Sequence, residues 1–233
     1  MNEVCWLALA MASFVGTHLL LSHPLRAPLV RAVGAQPFLG LYSLVSALTL
    51  GWTIYAAIQV PPLAPLWVAP AWLWHVVTLL MLLASILLVG SLIGNPAMVD
   101  PTGNPKFPEN PRGVLAITRH PMMWAFMLWA IGHALVWSTP DSLIVTAGIG
   151  GLALIGSLAQ DRKKVHAIGA PWRDWQAKTS YAPFGAQLSR RLPWRSVVPG
   201  PAPLIGGIAI WLGATWLHPL AGGPVAGPWM WMN

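Results

Sequence analysis

The sequence predicts an all-α fold: a polytopic membrane helical bundle of about six transmembrane helices, both termini outside, built as one domain over residues 1–233. Three observations carry this. First, 56% of the residues are hydrophobic and only 8% are charged, whereas a soluble domain carries roughly a quarter charged residues. Second, the chain holds six apolar runs, and a span of ~30 Å of hydrocarbon takes about 20 predominantly apolar residues. Third, all 13 Lys and Arg fall in three of the connecting segments, the pattern of a chain whose basic loops stay in the cytoplasm.

The expected spans, in order, are Val4–Leu21, Pro37–Ile58, Pro70–Ile93, Pro121–Trp137, Ser142–Ala159 and Ala202–Leu217. Only Glu3 carries charge ahead of the first run, and no small-residue cleavage site follows a short apolar core, so a retained helix is expected there. Ser138–Asp141 joins the fourth and fifth as a tight hairpin. Arg26 and Arg31 follow the first span; Lys106, Arg112 and Arg119 precede the fourth; the remaining basic residues lie between the fifth and the sixth. The segment from Gln160 to Pro201 is the candidate for structured mass outside the membrane, with Asp161–Lys178 an interfacial helix interrupted at Gly169 and Pro171. Fifteen tryptophans and 23 prolines suit the same picture, since indoles favour the headgroup level and prolines punctuate apolar runs.

The net charge of +7 is accounted for by topology, so no nucleic-acid partner is inferred. A single cysteine, Cys5, excludes an intrachain disulfide and a cysteine-held metal cluster. Gly-rich phosphate loops, a serine–histidine–carboxylate order and paired acid/base carboxylates are all missing from the sequence, which leaves hydrolase and nucleotide chemistry unsupported.

The seven histidines are the informative residues, because an ionisable group at membrane depth pairs, lines a cavity or binds something. His18, His23 and His120 fall at the cytoplasmic level; His75, His133 and His218 fall at the outer level; His166 lies in the basic segment. The separation of His120 from His133 is roughly 20 Å along a helix, too far for one small site. Two neutral imidazoles between packed helices can hold haem iron, and His18 with His120 can supply that pair, with Arg119, Arg26 and Arg31 at the level of the propionates. Spacing alone leaves each histidine open as a ligand or as a polar helix-end residue. Met122, Met123 and Met127 offer softer donors or core filling.

Gly16-Thr-His18-Leu-Leu-Leu-Ser-His23-Pro-Leu-Arg26 with Gly34-Ala-Gln-Pro-Phe, then Gly113-Val-Leu-Ala-Ile-Thr-Arg119-His120-Pro121, Gly132-His133, Asp161-Arg-Lys-Lys, Trp172, Trp175 and Thr179-Ser-Tyr-Ala-Pro-Phe184 resemble the NnrU family over nearly the whole chain. The resemblance implies a bacterial inner-membrane protein supporting nitric oxide and nitrite reductase function in denitrification. The related 15-cis-zeta-carotene isomerases bind haem b through histidines, which implies haem b here with His18 and His120 as metal ligands and Arg119 and Arg26 beside them. The implied partners are the lipid bilayer, a membrane redox or reductase partner and an apolar lipid substrate; the implied alternative activity is cis–trans isomerisation of a lipid or carotenoid. The C-terminal half also resembles isoprenylcysteine carboxyl methyltransferases, which bind S-adenosylmethionine, but their adjacent glutamates are replaced by Asp161-Arg162-Lys163-Lys164. A cofactor-free assembly factor is the third class of function left open.

Overall fold

A computed structural model describes residues 2–98 and 105–232. Among them the secondary structure is helical: α1 (Glu3–Ser22), α2 (Arg26–Val33), α3 (Ala35–Ile58), α4 (Ala71–Gly90), α5 (Val114–Ile117), α6 (Pro121–Val136), α7 (Pro140–Ile168), α8 (Ala170–Lys178), α9 (Gly185–Leu188) and α10 (Pro201–Leu217). Four of these, α1, α3, α4 and α7, are long and apolar enough to cross a membrane, and α6 and α10 are shorter apolar helices. All six coincide with the expected apolar runs.

The boundaries follow local chemistry. The Asn2 side chain accepts a hydrogen bond from the Cys5 N–H and caps α1, supplying one of the acceptors that the free N–H groups of a first turn need. Proline opens α6, α7 and α10 in the first turn, where its missing N–H costs nothing. The interfacial helix expected at Asp161 instead continues α7 without a break, giving 29 residues in all. It ends where φ at Gly169 turns to +78°, a conformation glycine adopts readily, and Pro171 then sits inside the first turn of α8 rather than breaking it. The short helix α2 was not anticipated from the apolar pattern, because only eight residues form it and two of them are arginines.

The principal packing runs in one row: α3 on α1, α1 on α7, α7 on α6, α6 on α4, and α4 on α10. Lipid tails are as apolar as leucine, so packed helices in a bilayer are held by close approach rather than by the hydrophobic effect. Small residues permit that approach here. A methyl group on Gly207 of α10 would lie 2.7 Å from the Cα of Ile86 in α4, and one on Gly148 of α7 would strike the Met11 side chain of α1. Outward faces carry exposed apolar side chains such as Leu44, Leu48, Leu79 and Ile205.

The three basic segments share one end of the row, termed here the basic end. Lys163 Nζ donates to the Ser22 carbonyl and Lys178 Nζ to that of Glu109. A compact layer covers this end beneath α4 and α6, its centre formed by Trp172 and Trp175 against Leu87, Val114, Leu115, Ile117 and Ala125. Backbone hydrogen bonds from Gly113 to Ser196, Arg119 to Ser180 and Phe184 to Ile117 stitch the layer together. At the opposite end, Ser138 of the α6–α7 hairpin exchanges hydrogen bonds with the backbone of Trp67. There the C-terminal turn folds back, with Trp231 Nε1 donating to His75 Nδ1.

Candidate functional site

The sequence Arg119-His120-Pro121 forms the junction between the basic-end layer and α6. Proline disfavours helical dihedrals in the residue before it, and His120 accordingly sits at φ −122°, ψ 56° as the N-cap of α6. Arg119 and His120 are thereby held in a short irregular stretch, pinned by the Arg119 N–H donating to the Ser180 carbonyl at 2.9 Å.

Both side chains converge on Asp161 of α7. Arg119 Nε donates to Asp161 Oδ2 at 2.8 Å and to Oδ1 at 3.1 Å, and its Nη2 donates to Oδ2. His120 Nε2 lies 2.8 Å from Oδ1. The carboxylate therefore bridges a guanidinium and an imidazole, and the side chains are nearly closed to solvent, with His120 at 1% and Asp161 at 10%. A charge held away from water must be paired; here Arg119 and Asp161 pair with each other, and His120 hydrogen-bonds to the same carboxylate. Asp161 follows Ala153 and Ser157 on the buried stripe of α7.

Tyr181 closes the site from the basic-end layer. Its hydroxyl hydrogen-bonds to Ser157 at 2.9 Å, while its carbonyl accepts from Thr118 Oγ1 and Trp124 Nε1. The Arg119 guanidinium lies 5.8 Å from the centre of the Tyr181 ring, and the His120 ring packs between Tyr181 and Trp172. His120 Nδ1 is buried without a hydrogen-bond partner, as are the indole N–H groups of Trp172 and Trp175. With Asp161 accepting at Nε2, the ring proton is assigned there. In the form that carries this one proton, His120 presents Nδ1 as a lone pair with a carboxylate behind the other nitrogen, the arrangement of many metal-ligating histidines.

The other expected site residues lie elsewhere. His18 faces α3: its Nε2 is hydrogen-bonded to the Tyr42 hydroxyl, Ser46 Oγ is 3.4 Å from Nδ1, and its ring packs against Phe14 and Tyr42. Arg26 is exposed at the start of α2, its guanidinium 5.7 Å from the centre of the Phe38 ring, and Arg31 is exposed near the end of that helix. His23 caps α1; burial, the Lys163 ammonium and His18 together hold its imidazole below the usual range. Of the expected four, Arg119 and His120 are brought together, while His18 and Arg26 sit at the α1–α3 side of α7. At the opposite end, His133 meets His218 with ring centres 5.9 Å apart, and His75 meets Trp231.

The fit to haem divides along the same line. His120 has the donor chemistry of an axial ligand, an orphaned ring nitrogen with a carboxylate behind the other. His18 belongs to a different helix pair with both ring nitrogens engaged, so the two imidazoles as placed do not clamp one porphyrin between them. Asp161, the centre of the cluster, was not foreseen as a partner of His120. The signal was present: it is the carboxylate that ends an apolar stretch of α7 at the depth of Arg119 and His120, and such a group demands a counter-charge.

The chain is 32% identical over 81 residues to the chloroplastic 15-cis-zeta-carotene isomerase of Zea mays, covering 34% of this chain and 22% of that protein. It is 30% identical over 118 residues to the isomerase of the same name from Arabidopsis thaliana, covering 48% of this chain and 31% of that protein. The chain thus spans less than a third of the length of either relative in these matches. No solved structure matches it. The model of the family described as NnrU protein matches residues 6–225, nearly the whole bundle and both halves of the Arg119–His120–Asp161 cluster, and the chain therefore belongs to the NnrU family.

Proposed function

We propose that this protein is an isomerase-like bacterial inner-membrane protein that acts on an apolar polyene lipid and uses haem b, with His120 as the imidazole that meets the iron. The observation that carries the reading is the buried His120–Asp161 pair, which leaves Nδ1 as an unanswered lone pair at the edge of an apolar bundle. The similarity to the two carotene isomerases supports the substrate class.

When bound, haem supplies one-electron chemistry at its iron, which side chains of this kind do not provide. The chain's own residues do the rest. Asp161 fixes the tautomer of His120 and raises the basicity of the free nitrogen. Arg119 anchors Asp161 through a two-nitrogen contact, a geometry that also limits its rotation. Trp172 and Tyr181 wall the ring and exclude water. Asp161 is fully committed to this pair, which argues against its serving in S-adenosylmethionine-dependent methyl transfer.

A second reading, taken from the NnrU resemblance of the sequence motifs, is passage of electrons or haem to a nitric oxide or nitrite reductase in the same membrane. The six apolar helices are proposed to give six spans with both termini outside, the basic end facing the cytoplasm.

The test is the visible spectrum of detergent-purified protein after haem addition, oxidised and reduced, beside His120→Ala and His18→Ala, followed by incubation with a cis-polyene and chromatographic separation of isomers. A Soret band lost in His120→Ala and kept in His18→Ala, together with isomer conversion, is expected. A featureless spectrum with no conversion removes both the haem and the isomerase readings.

A further inference from the structure

The basic end carries a second charged group, separate from the Asp161 cluster, whose charges are all of one sign. Lys163 leaves α7 on the side opposite Asp161, two residues or about 200° away on a helix, and donates to the Ser22 carbonyl at 3.2 Å. This places an ammonium at the C-terminus of α1, whose own last turn holds no basic residue, and where the helix dipole favours a cation. Only one of the three ammonium donors is used in that bond. Arg26, at the start of α2, is held at the same junction, its N–H donating to the His23 carbonyl at 3.3 Å. His23, the C-cap of α1, directly follows Ser22, whose carbonyl Lys163 holds. Among the described residues no carboxylate forms an ion pair with Lys163 or Arg26, since Asp161 is taken by Arg119 and His120.

Two cations with no carboxylate partner among the described residues, and an imidazole at the same helix junction, call for an anion. The surroundings decide which kind. Leu20 of α1, Leu25 between α1 and α2, Val33 at the end of α2 and Leu39 and Leu41 near the start of α3 are exposed, so the chain around these charges presents apolar side chains. A soluble anion would meet only the charged half of this arrangement, whereas a phospholipid matches both halves.

We propose that the α1–α2–α7 junction binds the phosphate of an anionic phospholipid headgroup between Arg26, Lys163 and His23, with the acyl chains lying on the exposed apolar faces of α1 and α3. Arg26, stacked over Phe38, is the donor free to turn toward the phosphate, and Lys163 is the fixed charge that defines its depth. The site lies on the far side of α7 from His120, so it anchors and orients the row without touching the proposed active centre.

Native mass spectrometry of the delipidated full chain, titrated with dioleoylphosphatidylglycerol or dioleoylphosphatidylcholine, tests this. The wild type is expected to bind the anionic lipid preferentially. Arg26→Gln and Lys163→Gln are each expected to weaken that preference about fivefold, the effect of one basic residue near an anionic surface. Arg195→Gln, an exposed arginine elsewhere at the basic end, leaves it unchanged. Arg26→Gln removes an exposed side chain and keeps the test valid if Lys163→Gln, which also uncaps α1, fails to fold. Equal binding of the two lipids, no loss in Arg26→Gln, or complete displacement by millimolar inorganic phosphate would each overturn the proposal, the last by assigning the site to a soluble anion.

Discussion

His120 and Asp161 meet across the α6–α7 interface at 2.8 Å from imidazole Nε2 to carboxylate Oδ1, although 41 residues separate them in the chain. Because Arg119 grips the same carboxylate, three ionisable groups share one nearly dry site, and the cost of losing any member falls on the other two.

Removal of the carboxylate is the most direct probe of that dependence. Asp161→Ala leaves a largely buried guanidinium without its counter-charge and is expected to lower stability by about 3 kcal/mol, in the range for breaking a buried pair from one side. Arg119→Ala acts on the same interaction, so the double variant is expected to fall short of the sum of the two by at least ~1 kcal/mol. Unfolding in mixed micelles titrated with sodium dodecyl sulfate reads both quantities; strict additivity would show that the two side chains are not coupled.

The close approach of α10 to α4 makes a sharper steric prediction. A methyl at position 207 would meet backbone atoms of Ile86, whereas one at position 213 meets nothing within 4 Å. Gly207→Ala is expected to cost about 1–3 kcal/mol by overpacking, while Gly213→Ala is neutral or gains up to ~1 kcal/mol from helix propensity. Thermal unfolding of the two variants in the same detergent separates them, and equal behaviour would mean that α10 does not pack where the structure places it.

The proposed orientation is checked by reporter fusions. Alkaline phosphatase joined at the C-terminus or inserted between Ile58 and Ala71 is expected to be active, and the same reporter inserted between Gly185 and Arg195 is expected to be inactive. Activity at the last position alone would invert the topology.

How far the molecule was legible beforehand depends on which physical signal each part carries. The apolar helices were readable because hydrocarbon selects long uncharged runs, and their ends because Pro121, Pro140 and Pro201 stand where a first turn tolerates proline. Asp161–Ile168 was misread as a separate interfacial helix because its charges suggest an end to the span, while the backbone simply continues until Gly169. The candidate site was half visible. Arg119 and His120 were marked by their depth and by the motif resemblance, but within the sequence only depth put His120 in the layer of His18. Depth says nothing about which neighbour a helix has, and the row order, with α7 between α1 and α6, puts the two histidines in different seams. The Tyr181 contacts with Ser157, Thr118 and Trp124 were beyond reach for the same reason, since each joins residues from elements whose packing no local pattern reveals.

The single-row arrangement has a consequence for traffic. A ring of helices would surround an interior that a substrate must enter through a gate, but a row has two broad faces and no inside. A long, stiff molecule dissolved in the bilayer can reach any seam of such a row by lateral diffusion in two dimensions, lying flat against several helices at once, and leave the same way. For a protein of this shape, arrival at a seam is governed by the fluidity and composition of the surrounding leaflet, and only a group as buried as His120 needs the side chains around it to part.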